Sequence, residues 1–417
     1  MNVLLTGAFG NIGKSTLEEL VRRGHTVRCF DLPTKANLKT ARSYSARYGN
    51  QIDLAWGDLR RPQDVARAVQ GQQVVIHLAF IIPKLSATGV ESEKAPDWAY
   101  AINVGGTRNL IEAISAQPDP PKLIFASSYH VFGRTQHLPP PRTVLDPVVP
   151  VEHYTRHKIE CERMVQTLQS DWAILRLSAS MPFSIRLDPG MFDVPLNNRM
   201  EYVHSRDVAL AFANALETDA VWGRLLLIGG GPRCQYYFRE IVERILGAMG
   251  LGMLPEEAFS TVPFCTDWVD TTISQKLLRY QTRDLDDYIR EMKALLGFRI
   301  LLIRLFRPLV RRWVLSRSPY YRRRAAAPAS STTVEPAAPS PSPSAMLAAG
   351  MPLTPEVKTL LTETASLLKG KARLRFVARV VAALGEGGVQ KAEQELGWPP
   401  QMISSALRQS KTAPAKS

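Results

Sequence analysis

The sequence predicts an α/β protein whose core is a parallel sheet with helices wound on both faces, and three observations predict it. Short apolar runs alternate with helical stretches from Val3 to about Gly230, as parallel strands joined by helical crossovers require. The first run opens into a glycine-rich turn, Thr6-Gly7-Ala8-Phe9-Gly10-Asn11-Ile12-Gly13, and the second closes on an acid, Asp31. Later in the chain, a run ending in Ser127-Ser128 is followed by Tyr154 and Lys158 at helical spacing.

In order, Val3–Leu5 is a strand, a helix runs from the glycine turn to about Arg23, and Thr26–Phe30 is a second strand ending at Asp31. Gly7 permits the tight turn, Gly10 lets backbone approach a pyrophosphate, and Gly13 lets the helix pack close to the strand. The N–H groups at the helix start, from Asn11 and Ile12 onward, face the anion. Asp31 would accept hydrogen bonds from an adenosine ribose and repel a 2'-phosphate, which favours NAD over NADP. A rival reading takes Ala8 to Ser15 as a relaxed phosphate loop with Lys14 and Ser15 serving a triphosphate and Mg²⁺. Ala8 in the first glycine position, the lack of an obvious strand ending in a Mg²⁺-binding Asp, and an idle Asp31 count against it.

Ile52–Trp56 is the next strand, leading to Gly57-Asp58-Leu59, and Pro62–Val69 is a short helix with Pro62 in its first turn. Val74–Leu78 is a strand ending in His77-Leu78-Ala79. Asn103 to Thr107 opens a helix with apolar spacing through Leu110, Ile111 and Ile114. Lys122–Ala126 is a strand delivering Ser127 and Ser128 to the C-terminal edge of the sheet, where ligands bind in open parallel sheets. The four-residue spacing of Tyr154 and Lys158 places phenol and ammonium on one helix face. A phenol has a pKa of about 10, and a nearby cation favours the phenolate. Tyr154 could then exchange a proton with an alcohol or ketone while a nicotinamide exchanges the hydride. Against this stand plainer readings: Asp31 as a turn residue, Tyr154 and Lys158 as a surface coincidence, and His153 and His157 as rim histidines. The two histidines have metal-clasping spacing but no third ligand, so no metal is expected.

These residues together resemble an extended short-chain dehydrogenase/reductase of the NAD-dependent epimerase/dehydratase family, over residues 1–287. The resemblance rests on TGAFGNIG, Asp31, Gly57-Asp58, His77-Leu78-Ala79, Asn103 with Gly106-Thr107, Ser127-Ser128 with Val131-Phe132-Gly133, and Tyr154 with Lys158. Leu175-Arg176 and Tyr202 to Ala209 add to it. It implies a Rossmann-type doubly wound sheet with a small C-terminal substrate-binding subdomain drawn from about 181–200 and 234–287, interrupted by a strand-helix-strand over Glu201–Gly230. It also implies that Ser128, Tyr154 and Lys158 are catalytic, with Lys158 also on the ribose. Gly7, Gly10, Asn11, Ile12, Gly13 and Asp31 would hold NAD, with Asp58 and Leu59 at the adenine, Leu78 and Ala79 lining the cofactor and Asn103 near the nicotinamide. Dehydratases of the family carry Asp-Glu after the catalytic hydroxyl, where Tyr129-His130 stand here. Epimerases usually carry Asn three residues after the Arg of Leu-Arg, where Ala179 stands. An alcohol/ketone oxidoreductase acting on a small molecule is therefore expected, with a nucleotide-sugar epimerase as the alternative. A homodimer also fits the family.

The 417 residues are 45% hydrophobic, enough for a sizeable core. Cys29, Cys161, Cys234 and Cys265 lack paired spacing, and no signal peptide precedes the first strand, so a reducing cytoplasm is expected. The net charge of +14 is concentrated late. Residues 289–324 hold eleven Lys and Arg against one acid, Glu291, and the stretch from Pro352 onward holds ten against five. Ala294–Leu315 is apolar but broken by five arginines, too costly to span a membrane. Its wheel gathers Leu302, Phe306, Leu309, Val310 and Trp313 on one face and Arg304, Arg307, Arg311 and Arg312 on the other, as in a helix lying on an anionic membrane. Packing of that face on the body or on a second subunit is the competing reading, and Pro308 is the expected kink.

Residues 325–350, rich in Ala, Pro, Ser and Thr, read as a disordered linker. A small helical tail, 352–417, follows, with helices over Thr354–Leu368, Arg373–Leu384, Val389–Leu396 and Gln401–Arg408. Lys371 to Arg408 resembles the helix-turn-helix of certain bacterial insertion-sequence transposases, departing from it at Glu393 and Pro399-Pro400. A helical appendage is placed ahead of DNA binding. An NAD-sensing regulator acting through a C-terminal DNA or membrane module is the non-enzymatic alternative.

Overall fold

The computed structural model describes residues 1–84, 89–183, 188–321, 358, 361–362, 365–366, 370–384 and 387–411. Residues 1–328 form one compact unit and 329–417 another. The expected linker at 325–350, most of the expected helix Thr354–Leu368, and residues 184–187 of a substrate segment lie outside the described residues.

The first unit is built on a seven-stranded sheet in the order β3-β2-β1-β4-β5-β6-β8, parallel throughout. Its strands are β1 (Asn2–Thr6), β2 (Thr26–Asp31), β3 (Ile52–Trp56), β4 (Val74–His77), β5 (Lys122–Ser128), β6 (Trp172–Leu177) and β8 (Arg224–Ile228). A two-stranded antiparallel pair, β7 (Arg199–Glu201) and β9 (Gln235–Tyr237), stands apart. The order in which strands are added to the sheet reverses between β1 and β4, the position where a crevice opens at the strands' C-terminal ends. This is the doubly wound architecture expected from the sequence.

Helices cover both faces, so β4 is buried at every residue. On one face α1 (Asn11–Arg22) and α7 (Ser205–Leu216) meet through Leu17, Leu20, Val21, Val208, Ala211 and Phe212. On the other, α3 (Pro62–Val69), α5 (Gly106–Ser115) and α6 (His153–Gln166) bury Val65, Val69, Leu110, Ile114, Cys161 and Val165. Between α4 (Pro96–Tyr100) and α5 the helix widens into a π-turn over Ala101–Gly105. The helix therefore begins before Asn103, where the sequence places its start, and the widened turn carries Asn103 inward.

A buried charge pair fixes α6 to the sheet. Arg176 on β6 donates Nε to Glu162 Oε1 at 2.9 Å and Nη2 to Oε2 at 2.7 Å, and Ser127 on β5 donates to Glu162 Oε1 at 2.5 Å. Both charged residues are 4% exposed, so the fork geometry and the added hydroxyl offset their desolvation.

A second apolar cluster joins Phe192, Tyr202, Phe238, Phe259, Tyr288 and Val314. It is built on α8 (Phe238–Ala248), α10 (Leu285–Leu296), α11 (Arg299–Leu305) and α12 (Arg307–Leu315), while α9 (Thr272–Leu278) packs on the sheet. The single amphipathic helix expected over Ala294–Leu315 is three pieces, broken at Gly297 (φ +51°) and at Phe306. Pro308 lacks the N–H that would bond the Arg304 carbonyl, so the break falls just ahead of it, with Pro308 in the first turn of α12. The wheel's two faces are also redistributed. Val310 packs into the cluster, Leu309 stays exposed, and Arg307 and Arg311 bond backbone carbonyls of the loop after α8.

The second unit has helices Gly370–Ala383, Gly388–Leu396 and Pro400–Lys411. Ala392, Leu396 and Ile403 are buried and Gly397 turns at φ +64°.

Arg176→Met is expected to cost about 3–5 kcal/mol by stranding Glu162 in the interior, and an added Glu162→Met should recover most of it. Thermal denaturation of both variants checks this.

Candidate active site

The glycine turn lies at the sheet's switch point and is packed too closely for side chains. Gly7 has φ +69°, and a Cβ there would come within 2.8 Å of the Ala79 nitrogen. A Cβ on Gly13 would meet the Gly7 carbonyl at 2.1 Å. Helix α1 follows with Gly10 as its N-cap and no side-chain cap on its first turn, so the amides of Asn11, Ile12 and Gly13 begin an anion-favouring helix end.

Asp31 lies beside this turn at the end of β2. Its carboxylate accepts from Phe9 N at 3.1 Å, Leu32 N at 2.8 Å and Asn37 Nδ2 at 3.0 Å. Burial raises its pKa and these bonds oppose the rise. Asn37 escapes the sequence reading, since only the capped turn at Thr34 brings it back to β2. Asp58 pairs with Arg60 at 2.6 Å, and that hydrogen bond holds its carboxyl below the usual range. The Leu59 side chain is buried under Gly106, and its carbonyl accepts from Asn109. The amides of Leu78 and Ala79 both donate to Thr6 Oγ1 at 3.2 Å. His77 bridges Thr6 and Thr107, and burial drives it down to about 3, so it is a neutral structural link.

Asn103, expected near a nicotinamide, turns its side-chain amide onto the segment after β4. The residue has no exposed surface, its Oδ1 accepts from Ile81 N at 2.7 Å, and its Nδ2 donates to Ile81 O at 3.0 Å. With both amide functions spent on the segment after β4, Asn103 holds backbone in place.

Ser128, Tyr154 and Lys158 converge at the C-terminal edge of β5. They are 7%, 9% and 4% exposed, and Ser128, whose Oγ accepts from His130 N at 3.2 Å, lies close enough to the Tyr154 hydroxyl to favour its phenolate. The Lys158 Nζ donates to Ala126 O at 2.6 Å and lies 3.4 Å from the Phe80 ring centre and 5.8 Å from that of Tyr154. Phe80 meets Tyr154 edge to face, and His130 meets both Tyr154 and Phe264 the same way. Glu93 caps α6 by accepting from Tyr154 N at 2.9 Å and His153 N at 3.1 Å. Nothing local in the sequence marks Glu93 for that task, because the two segments meet only in the fold. His157 makes its Nδ1 contact to Asn103 at 3.3 Å.

The expected lowering of the Tyr154 pKa is reversed. Burial pushes the phenol up to about 12, the Ser128 hydroxyl pulling against it, and burial pushes Lys158 down to about 7. Helical spacing predicted the neighbours, but the dry surroundings dominate the charge effect.

Residues 3–185 match the model of the NAD dependent epimerase/dehydratase family. UDP-glucose 4-epimerase 2 of Arabidopsis thaliana is 30% identical over 48% of this chain and 59% of that protein. A 3-beta-hydroxysteroid dehydrogenase of Mycolicibacterium neoaurum is 34% identical over 27% of this chain and 28% of that protein. The chain thus matches less than two thirds of the length of these relatives. Among solved structures, UDP-glucuronic acid 4-epimerase from Bacillus cereus, in complex with UDP-glucuronic acid and NAD, has a TM-score of 0.59 at 23% identity, covering 71% of this chain and 100% of its own. A short-chain dehydrogenase/reductase superfamily protein from Agrobacterium tumefaciens with bound NAD gives 0.57 at 19%, covering 74% and 99%. At these identities the likeness is one of fold.

Because Lys158 falls to about 7 in the folded chain from an ordinary 10.5, the unfolded chain binds the extra proton between those values. Stability therefore rises with pH across that window. Lys158→Met should raise the melting temperature by roughly 2 °C or more at pH 6, the gain shrinking toward pH 10. Melting curves across that range check it.

Proposed function

We propose that this chain, whose residues 3–185 match the model of the NAD dependent epimerase/dehydratase family, is an NAD-dependent oxidoreductase acting at an alcohol or ketone carbon. The observation that carries the reading is the convergence of Ser128, Tyr154 and Lys158 at the sheet edge beside the glycine turn. The side-chain-free cradle at Gly7 and Gly13, the uncapped start of α1 and the Asp31 acceptor fit a dinucleotide. In the proposal, Gly7, Gly10, Asn11, Ile12 and Gly13 surround the pyrophosphate and Asp31 takes the adenosine ribose. Asp58 and Leu59 border the adenine, and Leu78 and Ala79 line the cofactor. NAD, when bound, supplies the hydride acceptor.

In the proposed mechanism Ser128 holds the substrate oxygen and Tyr154 exchanges its proton. In the oxidation direction the phenolate takes the hydroxyl proton as the carbon loses hydride, and in reduction the phenol returns it. Lys158, which donates to the Ala126 carbonyl, would hold the nicotinamide ribose. The rings of Phe80, His130 and Phe264 near Tyr154 favour a modestly polar substrate. The nucleotide-sugar epimerase alternative draws on the relatives' names, but Ala179 packs among Tyr129, Phe132 and Val269 and offers a sugar no polar group.

The same proposal assigns catalysis to residues 1–287, a substrate-binding role to parts of 181–200 and 234–287, a cytoplasmic setting, a homodimer, and contact with an anionic membrane through 289–324. DNA binding by 352–417 is the separate regulator reading. NAD-dependent DNA or lipid affinity without turnover would favour it.

Tyr154→Phe should lower turnover by about 10²–10⁴-fold while calorimetric NAD affinity stays within a few-fold of wild type. Asp31→Ala should weaken NAD by about tenfold or more through loss of charged hydrogen bonds. With Tyr154 near 12, alcohol oxidation should climb with pH through the alkaline range. Full turnover by Tyr154→Phe, or no binding of either dinucleotide, would overturn the reading.

A further inference from the structure

From Met292 to Arg324 the sequence carries ten Lys and Arg and no acid. Among the described residues, no arginine from Arg299 to Arg317 pairs with a carboxylate. Repulsion within such a stretch needs a reason, and the helix pair α11–α12 divides it into two sides with different tasks.

The inner side is structural. Ile303, Val310, Val314 and Leu315 pack into the cluster with Leu251 and Tyr288. Arg307 Nε donates to Leu251 O at 3.0 Å, and Arg311 Nη1 donates to the carbonyls of Leu251, Gly252 and Met253 at 2.8, 3.2 and 2.7 Å. These two cations satisfy carbonyls of the loop after α8, and they clamp α12 in one orientation.

The outer side is left with large apolar groups in water. Leu309 is 59% exposed and Trp313, one turn on, is 49% exposed, while Leu301 and Phe298 on the preceding helix segment are 54% and 49% exposed. Beside them Arg312 is exposed and Arg317 stacks on Trp313 at 5.1 Å. An open cavity of about 860 Å³ runs along the edge between the two sides, lined by Arg307, Pro308, Arg311, Arg312, Leu315, Ser316 and Tyr321.

We propose that α11–α12 docks the chain on an anionic membrane surface, with Leu309 and Trp313 entering the interface and Arg312 and Arg317 meeting lipid phosphates. This deepens the membrane part of the reading above and rests on it for the catalytic module's identity alone. A Trp flanked by leucine and unpaired arginines matches the boundary between acyl chains and anionic headgroups. A second copy is a poor occupant, since a two-fold contact would set one acid-free patch against another. Nucleic acid would use the arginines but leave Leu301, Leu309 and Trp313 in water.

The test is flotation of the full chain with vesicles of phosphatidylcholine alone and with about one third phosphatidylglycerol, repeated for Leu309→Asp/Trp313→Asp and Arg312→Glu/Arg317→Glu. Both pairs are surface changes, so melting temperature and NAD titration should match wild type. The chain should prefer anionic vesicles by about tenfold or more and lose that preference with added salt, and each double variant should lose most of the binding. Equal binding to both vesicle types, or retention by Leu309→Asp/Trp313→Asp, overturns the proposal. A dimer by light scattering that this variant splits would assign the face to a second copy. Salt-sensitive duplex DNA binding lost only in the arginine variant would assign it to nucleic acid. Vesicle binding with no NAD binding would remove the catalytic reading and leave this one standing.

Discussion

The buried contact among Arg176, Glu162 and Ser127 is the constraint on which the rest of the site depends. It ties α6 to both β5 and β6 from within the interior, and α6 is the element that carries Tyr154 and Lys158. Two further ties act around this helix. Glu93 holds its first amides, and Asn103 holds the segment bearing Phe80 through Ile81. A helix fixed at its start and along its buried side keeps the phenol and the ammonium in register with the serine on β5, which is the preorganisation a proton transfer needs.

That rigidity has an electrostatic consequence. The same packing that positions Tyr154 and Lys158 removes water from both, so each is pushed toward its neutral form, the phenol upward and the ammonium downward. The carbonyl of Ala126 and the faces of Phe80 and Phe125 are what the protein itself offers the lysine. A ligand hydroxyl arriving at Lys158 would exchange with a backbone carbonyl rather than with bulk water. The balance between the two neighbours is thus set by burial, and only secondarily by their charges.

The second apolar cluster shows the same economy beside the site. Phe264, which touches His130 beside Tyr154, belongs to the cluster that also receives Val310 and Leu315 of α12. Segments that read as a substrate-binding part and a separate basic helix therefore share one core. Arg307 and Arg311 contribute to that core's edge by satisfying carbonyls of the loop after α8, a use of arginine that a helical wheel, which knows only the helix, does not register.

What the sequence determined by itself was local. The glycine turn, the alternation of strands and helices, Asp31 at the end of β2, and the Tyr154–Lys158 spacing all follow from residue type and periodicity within a short window, and the fold carries each where expected. The tertiary structure decided what depends on partners distant in sequence. Glu93 reaches α6 across 60 residues, Asn103 turns inward through a π-turn to hold Ile81, and the basic stretch divides into clamped and exposed arginines. The physical reason is the same in each case: a side chain's hydrogen-bond partner and its access to water are properties of the packed surroundings, and those exist only once the elements have met.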